Sequence, residues 1–305
     1  MVVRNANKND LVAIVDLLKL SLGESLMPKS EAFWHWKHVE NPFGESPVLL
    51  AEENNELIGV RAFLIWHWFH NGKVIKAARA VDTATHPKHQ GKGIFKKLTL
   101  QLLNDCKQRG VQFVFNTPNK NSMPGYLKMG WIKAGKFRIR VRYLTPFERW
   151  WYKKYNVNEL SWNDFISQYQ LSTELNKTIS TPKDVSFLLW RYKEVPVAKY
   201  FVLKGEENEY VIYRLKIGKI KELRIVEYLS SRYQVSESIW NKIKIIASLK
   251  KVNFITISGS THNFKKGISL PIGPRVTLRQ VCEGFVINDF DFKHWSPSIG
   301  DLELF

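Results

Sequence analysis

Along the chain the spacing of apolar residues changes several times, and each change predicts an element. Residues 3–9 read as a short strand and turn. Asp10 stands at the cap position of a helix whose apolar residues Leu11, Ile14, Val15, Leu18 and Leu22 share one face. Ser30 opens a second helix with Phe33, Trp34 and Trp36, ended by Asn41-Pro42. A strand over 47–52 and an Asn54-Asn55 turn lead into a long, mostly apolar strand over 57–70. Asn71-Gly72 is a hairpin signal, and the strand from Lys73 runs back towards Thr85.

At that point the period switches. Val81, Thr83 and Thr85 alternate as a strand, Pro87 stops it, and Gly91 and Gly93 flank Lys92. From Ile94 a helical stripe takes over through Leu98, Leu102 and Cys106, and Gly110 closes it. Strand, basic glycine turn and helix together place uncovered backbone N–H groups at a helix start, which suits a pyrophosphate. A glycine turn alone is a weak signal. The motif G-x-x-x-x-G-K-[ST] is absent, and so is G-x-G-x-x-G with its later acidic residue. Residues 111–116 form a second buried strand, followed by Thr117-Pro-Asn119-Lys-Asn121-Ser-Met-Pro-Gly-Tyr126.

Here the chain resembles the GNAT superfamily of acyl-CoA-dependent N-acyltransferases. Gln90-Gly-Lys-Gly93-Ile-Phe95 is similar to its Q/R-x-x-G-x-G/A turn, with Phe95 where the family has a small residue. Tyr126-Leu-Lys-Met-Gly130-Trp131 is similar to its Y-x-x-x-G-F/W signature. The resemblance covers roughly residues 1–145 and implies a mixed-sheet α/β fold with acetyl-CoA as co-substrate. It implies that Thr83, Ala84 and Thr85 hold the acyl carbonyl and pantetheine. The amides of Gln90, Gly91, Lys92, Gly93, Ile94 and Phe95 would hold the pyrophosphate, Asn119 or Asn121 the arm beyond it, and Tyr126 would stand near the sulfur.

An amine acceptor must lose a proton before attack. Asp82 is the only acid between Glu56 and Asp105, and strand parity groups it with the small residues Ala78, Ala80 and Ala84. It is the expected base, with His86 and the carboxylate of Phe305 as rivals. Cys106 reads as core and His262 as a solvated loop residue. Residues 136–143 alternate strictly, with Lys136, Arg138, Arg140 and Arg142 on one face. That face is either a solvated strand surface or a basic wall in which Arg138 and Arg140 meet the acceptor.

Residues 146–183 read as a connector whose aromatic cluster, from Arg149 to Tyr155, is expected to pack between domains; a membrane surface is the alternative. Residues 184–305 carry a faint repeat of the first part. Phe33, Trp36, Lys37 and Pro42 recur in type as Phe187, Trp190, Arg191 and Pro196, and the strands that follow match as well. Between the second central strand and its helix, residues 230–236 hold no glycine. The expected organisation is an acetyl-CoA-binding domain over 1–145, the connector, and a degenerate GNAT-like domain over 184–305.

Composition adds a class and a field. Of the 305 residues 44% are hydrophobic and 24% charged, as in an ordinary globular protein. No apolar run approaches the ~20 residues of a membrane helix. The first residues lack a leader pattern, and the two cysteines form no framework or metal pattern, so a cytoplasmic protein without metal is expected. The net charge is +18, and the stretch 86–146, rich in lysine and arginine, has Asp105 as its sole acid. Such a field gathers anions. The function expected is transfer of an acetyl group to a primary amine on a small anionic acceptor such as an amino sugar. The alternatives are an aminoacyl- or peptidyl-transfer protein with a tRNA donor, through which alone nucleic acid would enter, and a CoA-binding module without turnover.

Overall fold

The computed structural model describes residues 1–23, 28–171, 178–231, 234–258, 264–283 and 294–302. Strand β1 (Val2–Asn5) is followed by α1 (Leu11–Leu22), α2 (Glu31–His38), β2 (Val48–Glu53), β3 (Glu56–His70) and β4 (Lys73–Thr85). Then come α3 (Ile94–Gln108), β5 (Phe113–Asn116), α4 (Met123–Lys128), β6 (Ile132–Lys136) and β7 (Ile139–Tyr143). Ser30 caps α2 as its sequence predicts, accepting from the Phe33 amide at 3.2 Å. Asp10 does not cap α1; its carboxylate is bound by Arg4 and by the Asn7 amide.

The later part contains α5 (Pro146–Tyr152), α6 (Trp162–Gln168), α7 (Val185–Leu188), β8 (Phe201–Lys204), β9 (Tyr210–Lys216) and β10 (Glu222–Leu229). It closes with α8 (Glu237–Leu249), β11 (Phe254–Ser258), β12 (Ile268–Leu270), β13 (Arg275–Gln280) and α9 (Ile299–Leu302). Two mixed sheets result, ordered β1-β2-β3-β4-β5-β13-β6 and β12-β7-β11-β10-β9-β8.

The two orders are related by an exchange. β13, from the end of the chain, lies between β5 and β6, while β7 lies between β11 and β12. The boundary expected at residue 145 therefore does not separate the sheets. The chain crosses at Phe137, whose amide donates to the Pro274 carbonyl at 2.9 Å and whose carbonyl accepts from the Gly273 amide at 3.0 Å. A Cβ on Gly273 would sit 2.7 Å from that carbonyl oxygen, so the crossing needs glycine there. The strict alternation over 136–143 hides the switch, because a strand of that pattern satisfies either sheet.

The repeated segments meet each other. The indoles of Trp36 and Trp190 stack with centroids 4.8 Å apart, and each N–H donates to the other residue's carbonyl, at 2.7 and 2.8 Å. They sit in a core shared by both halves, with Trp66, Phe187, Val202 and Tyr210. A second core packs α3 on the first sheet through Ile94, Leu98, Leu102 and Cys106, and a third packs α8 on the second sheet through Ile239, Ile243 and Ile246. Cys106 is core, as expected, and burial pushes its thiol up to about 12.

The aromatic connector departs from expectation. Tyr152 packs inward, its hydroxyl held by Asn241 and Lys244, but Phe147, Trp150, Trp151 and Tyr155 are exposed instead of filling a domain interface. Among the described residues no helix is long and apolar enough to cross a membrane.

Candidate acyl-transfer site

The site follows from where β4 loses a neighbour. β4 and β5 pair in parallel only at Ala77–Phe113, Ala78–Val114 and Arg79–Phe115. Over residues 80–85 β4 keeps β3 on one side, and its other edge, with backbone donors and acceptors, faces a cavity of about 1140 Å³. Thr83, Ala84 and Thr85 all line that cavity.

At the end of β4 a 3-10 turn (Pro87–His89) leads into the glycines. Gly91 and Gly93 have φ of +77° and +79°, a conformation side chains rarely adopt, and nothing lies within 4 Å of where a Cβ would stand. Among the described residues no backbone acceptor pairs with the N–H groups of residues 91 to 96, which lie at the positive end of α3. Gln90, Gly91, Gly93, Ile94 and Phe95 line the cavity. Lys92 is exposed beside His89 and is not among the lining residues. The ring of Phe95 leaves the amides clear: it lies edge-on to Tyr126, centroids 5.4 Å apart, and packs over Gly125. The turn thus fits a pyrophosphate.

Asn119 and Asn121 line the same cavity, but the Asn119 carbonyl oxygen is occupied, accepting from the amides of Asn121 and Ser122 ahead of α4. Only its NH2 group remains for a ligand. Tyr126 is 5% exposed, and its hydroxyl accepts from Arg61 Nη2 at 2.8 Å. No acceptor for the hydroxyl's own proton occurs among the described residues, which leaves that proton for the cavity.

Arg61 was not a sequence candidate. It is buried in β3, donates also to Thr83 Oγ1, and lies over the rings of Phe63, Phe95 and Tyr126. Its signal was a lone charge within the apolar run 57–66. Arg79 is a second such case; it donates to the Asp301 carbonyl at 2.8 Å and to the Leu302 carbonyl, tying the chain's last described residues to the cavity wall.

Asp82 does line the cavity, but in a setting that parity did not predict. The register of β3 and β4 slips between Arg61 and Ala62, leaving Asp82 as an extra residue at φ +39°. The bulge breaks the alternation: Ala78 and Ala80 face α3, whereas Val81 and Ala84 face the shared core. The Asp82 carboxylate turns towards α2, where Oδ2 accepts from Lys37 Nζ at 2.9 Å and meets His38 Nε2 at 2.7 Å. Burial raises the Asp82 carboxyl, but the Lys37 charge and the His38 contact outweigh it and hold it far below the usual carboxylate range. Burial likewise lowers Lys37 and His38, with Asp82 opposing in both. A carboxylate held so low is a poor proton acceptor. The base role expected of Asp82 thus meets a carboxylate that its neighbours hold ionised.

Arg138 and Arg140 do not line the cavity. Arg138 donates to the Ser269 carbonyl at 2.8 Å and Arg140 to the Gly267 carbonyl at 3.3 Å, so both hold β12 against β7. The basic wall is thus a clasp on the second sheet. His86 caps its own turn by accepting from the Lys88 amide. His262 and Phe305 lie outside the described residues.

In the second half, β10, α8 and β11 repeat the layout of β4, α3 and β5, with β10 and β11 parallel. The start of α8 is already filled. Ser236 caps it, accepting from the Ile239 amide, and the buried Glu209 carboxylate accepts from the Ser236 amide at 2.8 Å and hydroxyl at 2.5 Å. An internal anion stands where the first half has open amides.

Helix-start amides, an open strand edge and the Tyr126 hydroxyl thus line one cavity, in an arrangement that fits an extended ligand carrying a pyrophosphate. Residues 2–134 match the family model of the acetyltransferase (GNAT) domain, and in this stretch the chain is similar to the GNAT superfamily. Two bacterial enzymes are each 26% identical to it: L-amino acid N-acyltransferase MnaT of Escherichia coli K12, over 107 residues, and L-methionine sulfoximine/L-methionine sulfone acetyltransferase of Salmonella typhimurium LT2, over 121. The matches take in 34% and 36% of this chain, and 59% and 66% of those enzymes, under two thirds of their length.

Whole-chain likeness is seen in solved structures. A probable N-acyltransferase from Enterococcus faecalis V583 superposes with a TM-score of 0.66 at 13% identity, covering 92% of this chain and 72% of that one. Saccharomyces cerevisiae N-myristoyltransferase with bound myristoyl-CoA gives 0.55 at 9% identity, covering 90% and 82%. At these identities the likeness is one of fold.

Proposed function

We propose that this protein transfers the acetyl group of acetyl-CoA to the primary amine of a small, carboxylate-bearing acceptor. The observation that carries the reading is the row of free amides over 91–96 opening onto the same cavity as Asp82 and Tyr126. Acetyl-CoA supplies the acyl carbonyl and a thiolate leaving group. Residues 91–96 and the α3 dipole hold the pyrophosphate, and the free edge of β4 over 80–85 aligns the pantetheine arm. The NH2 groups of Asn119 and Asn121 meet that arm on its other side. Tyr126 gives its proton to the sulfur as the bond to it breaks, and the hydrogen bond from Arg61 holds the hydroxyl in place for that donation.

The acceptor lies between α2 and the bulge of β4. Asp82 Oδ1, which has no hydrogen-bond partner among the described residues, receives the ammonium and orients it, while Lys37 and Lys29, which also line the cavity, favour an acceptor with a carboxylate. Because Asp82 stays ionised, attack waits on the fraction of acceptor that is already neutral amine. The enzymes similar to residues 2–134 are named for amino acids and amino-acid analogues, which supports a carboxylate beside the amine. The second half is read as a copy of the same fold in which Glu209 has replaced the ligand.

Acceptor competition tests this. An α-amino acid should be acetylated with kcat/KM at least about tenfold above its decarboxylated amine, the scale of one charge-assisted contact. Equal values for the two, or a preference for a neutral amino sugar, would remove the carboxylate from the proposal.

A further inference from the structure

The second sheet ends in a surface that acyl transfer does not use. The register aligns Tyr143, Phe254, Glu222 and Lys216, so four strands finish at one end. Asn253 ties the neighbouring segments together there. Its carbonyl accepts from Arg149 of α5 at 3.0 Å, and its amide and side chain bond the backbone of Lys221, both at 2.8 Å. α5 and the β9–β10 hairpin therefore form one face.

Large apolar side chains stand out from it. Phe147 is 67% exposed and Trp150 59%, and at the hairpin tip Ile217 is 78% and Ile220 59% exposed. The rings of α5 pack on one another: that of Phe147 lies 6.0 Å from that of Trp150 and 6.2 Å from that of Trp151. Lys153, Lys154, Lys219, Lys221, Lys250 and Lys251 surround them and are exposed. The two acids of this end are neutralised within the fold, Glu148 by Arg142 and Glu222 by Arg224. Folded monomers seldom leave such a patch to water.

We propose that this face seats the protein on an anionic lipid bilayer. Indoles favour the boundary between headgroups and hydrocarbon, the two isoleucines at the hairpin tip reach below it, and the lysines meet acidic headgroups. The isoleucines decide between occupants. A nucleic acid would use the charges and the flat rings, but aliphatic tips add nothing to phosphate contact or base stacking. Lys154 keeps its ammonium on the face of the Trp150 ring, 3.9 Å from its centre, so a charge and an indole meet the headgroups together.

Co-sedimentation with phosphatidylcholine vesicles, with and without phosphatidylserine, tests the proposal on the full chain. The natural protein should bind the phosphatidylserine vesicles at least about tenfold more tightly than the neutral ones, and added salt should weaken it. Ile217→Ser with Ile220→Ser leaves every charge in place and should cost about tenfold or more in affinity for the anionic vesicles. Trp150→Ala with Trp151→Ala should do the same, and both pairs should keep the natural melting temperature and acetyl-CoA binding. Failure to bind the anionic vesicles would overturn the proposal. So would isoleucine variants that bind vesicles normally, or tighter binding to a single-stranded oligonucleotide that those variants leave unchanged.

Discussion

Gly93→Glu is expected to abolish the rise in melting temperature that acetyl-CoA gives the natural protein. A ligand at about a hundredfold its Kd stabilises by ~2.7 kcal/mol, roughly 5 °C for a protein of this size. In the variant a carboxylate would stand among the amides of residues 91–96 and take the place of the pyrophosphate, as Glu209 does at the start of α8. Because Gly93 has φ +79°, any side chain there also strains the turn, by about 1 kcal/mol. Gly93→Ala carries the same strain without the charge and should keep most of the shift. Calorimetric titration of the natural chain should give one site, since Glu209 already fills the second half. A full shift in Gly93→Glu, or two equivalent sites in the natural chain, would mean that the glycine turn is not the binding element.

The second large effect is at Asp82. Asp82→Asn should lower kcat on the order of 10²-fold while acetyl-CoA still binds, the scale of a misoriented acceptor. The side chain keeps its shape but loses the charge that orients the acceptor and that balances Lys37 and His38. Lys37, left buried without a counter-charge, would give up its proton, and the fold would lose up to about 3–5 kcal/mol, so the thermal shift with acetyl-CoA is the check that the variant is folded. The pH profile separates two roles. The folded pKa of Asp82 is depressed, so its charge is fully present above the ordinary carboxylate range and is lost only in strong acid. The rise of rate with pH near neutrality therefore belongs to the acceptor amine, and it should persist in Asp82→Asn and move with the pKa of the amine supplied. An acidic limb that disappears in the variant would make Asp82 the titrating base after all.

What the sequence disclosed, and what it concealed, follows from how local each feature is. The glycine turn, the strand ahead of it and Tyr126 were legible because their chemistry is written in consecutive residues, and all of them line one cavity. Features that depend on a distant strand were not. Asp82 reads as an ordinary alternating position, since a bulge is a slip between two strands and leaves no mark on one of them. Arg138 and Arg140 read as a strand face, although the chain changes sheets beside them at Phe137. Lys37 and His38 show nothing in the sequence of the carboxylate they meet, because Asp82 lies on a distant strand. Arg61 was the exception, for a single arginine in an apolar central strand is a burial cost that some function or network must offset. Trp36 and Trp190, which meet in the shared core, stand out in the sequence, whereas the exchange of β7 and β13 does not, because each strand keeps its pattern in either sheet.

The central claim is that this chain moves an acetyl group, beyond holding its carrier. Incubation with acetyl-CoA and an α-amino acid tests it most directly, with free thiol and N-acetyl product measured together. The account predicts thiol release that requires the amine, matches the amide formed one for one, and is lost in Gly93→Glu. Tight acetyl-CoA binding without amide formation on any primary amine, or thiol release that ignores the amine, would contradict it.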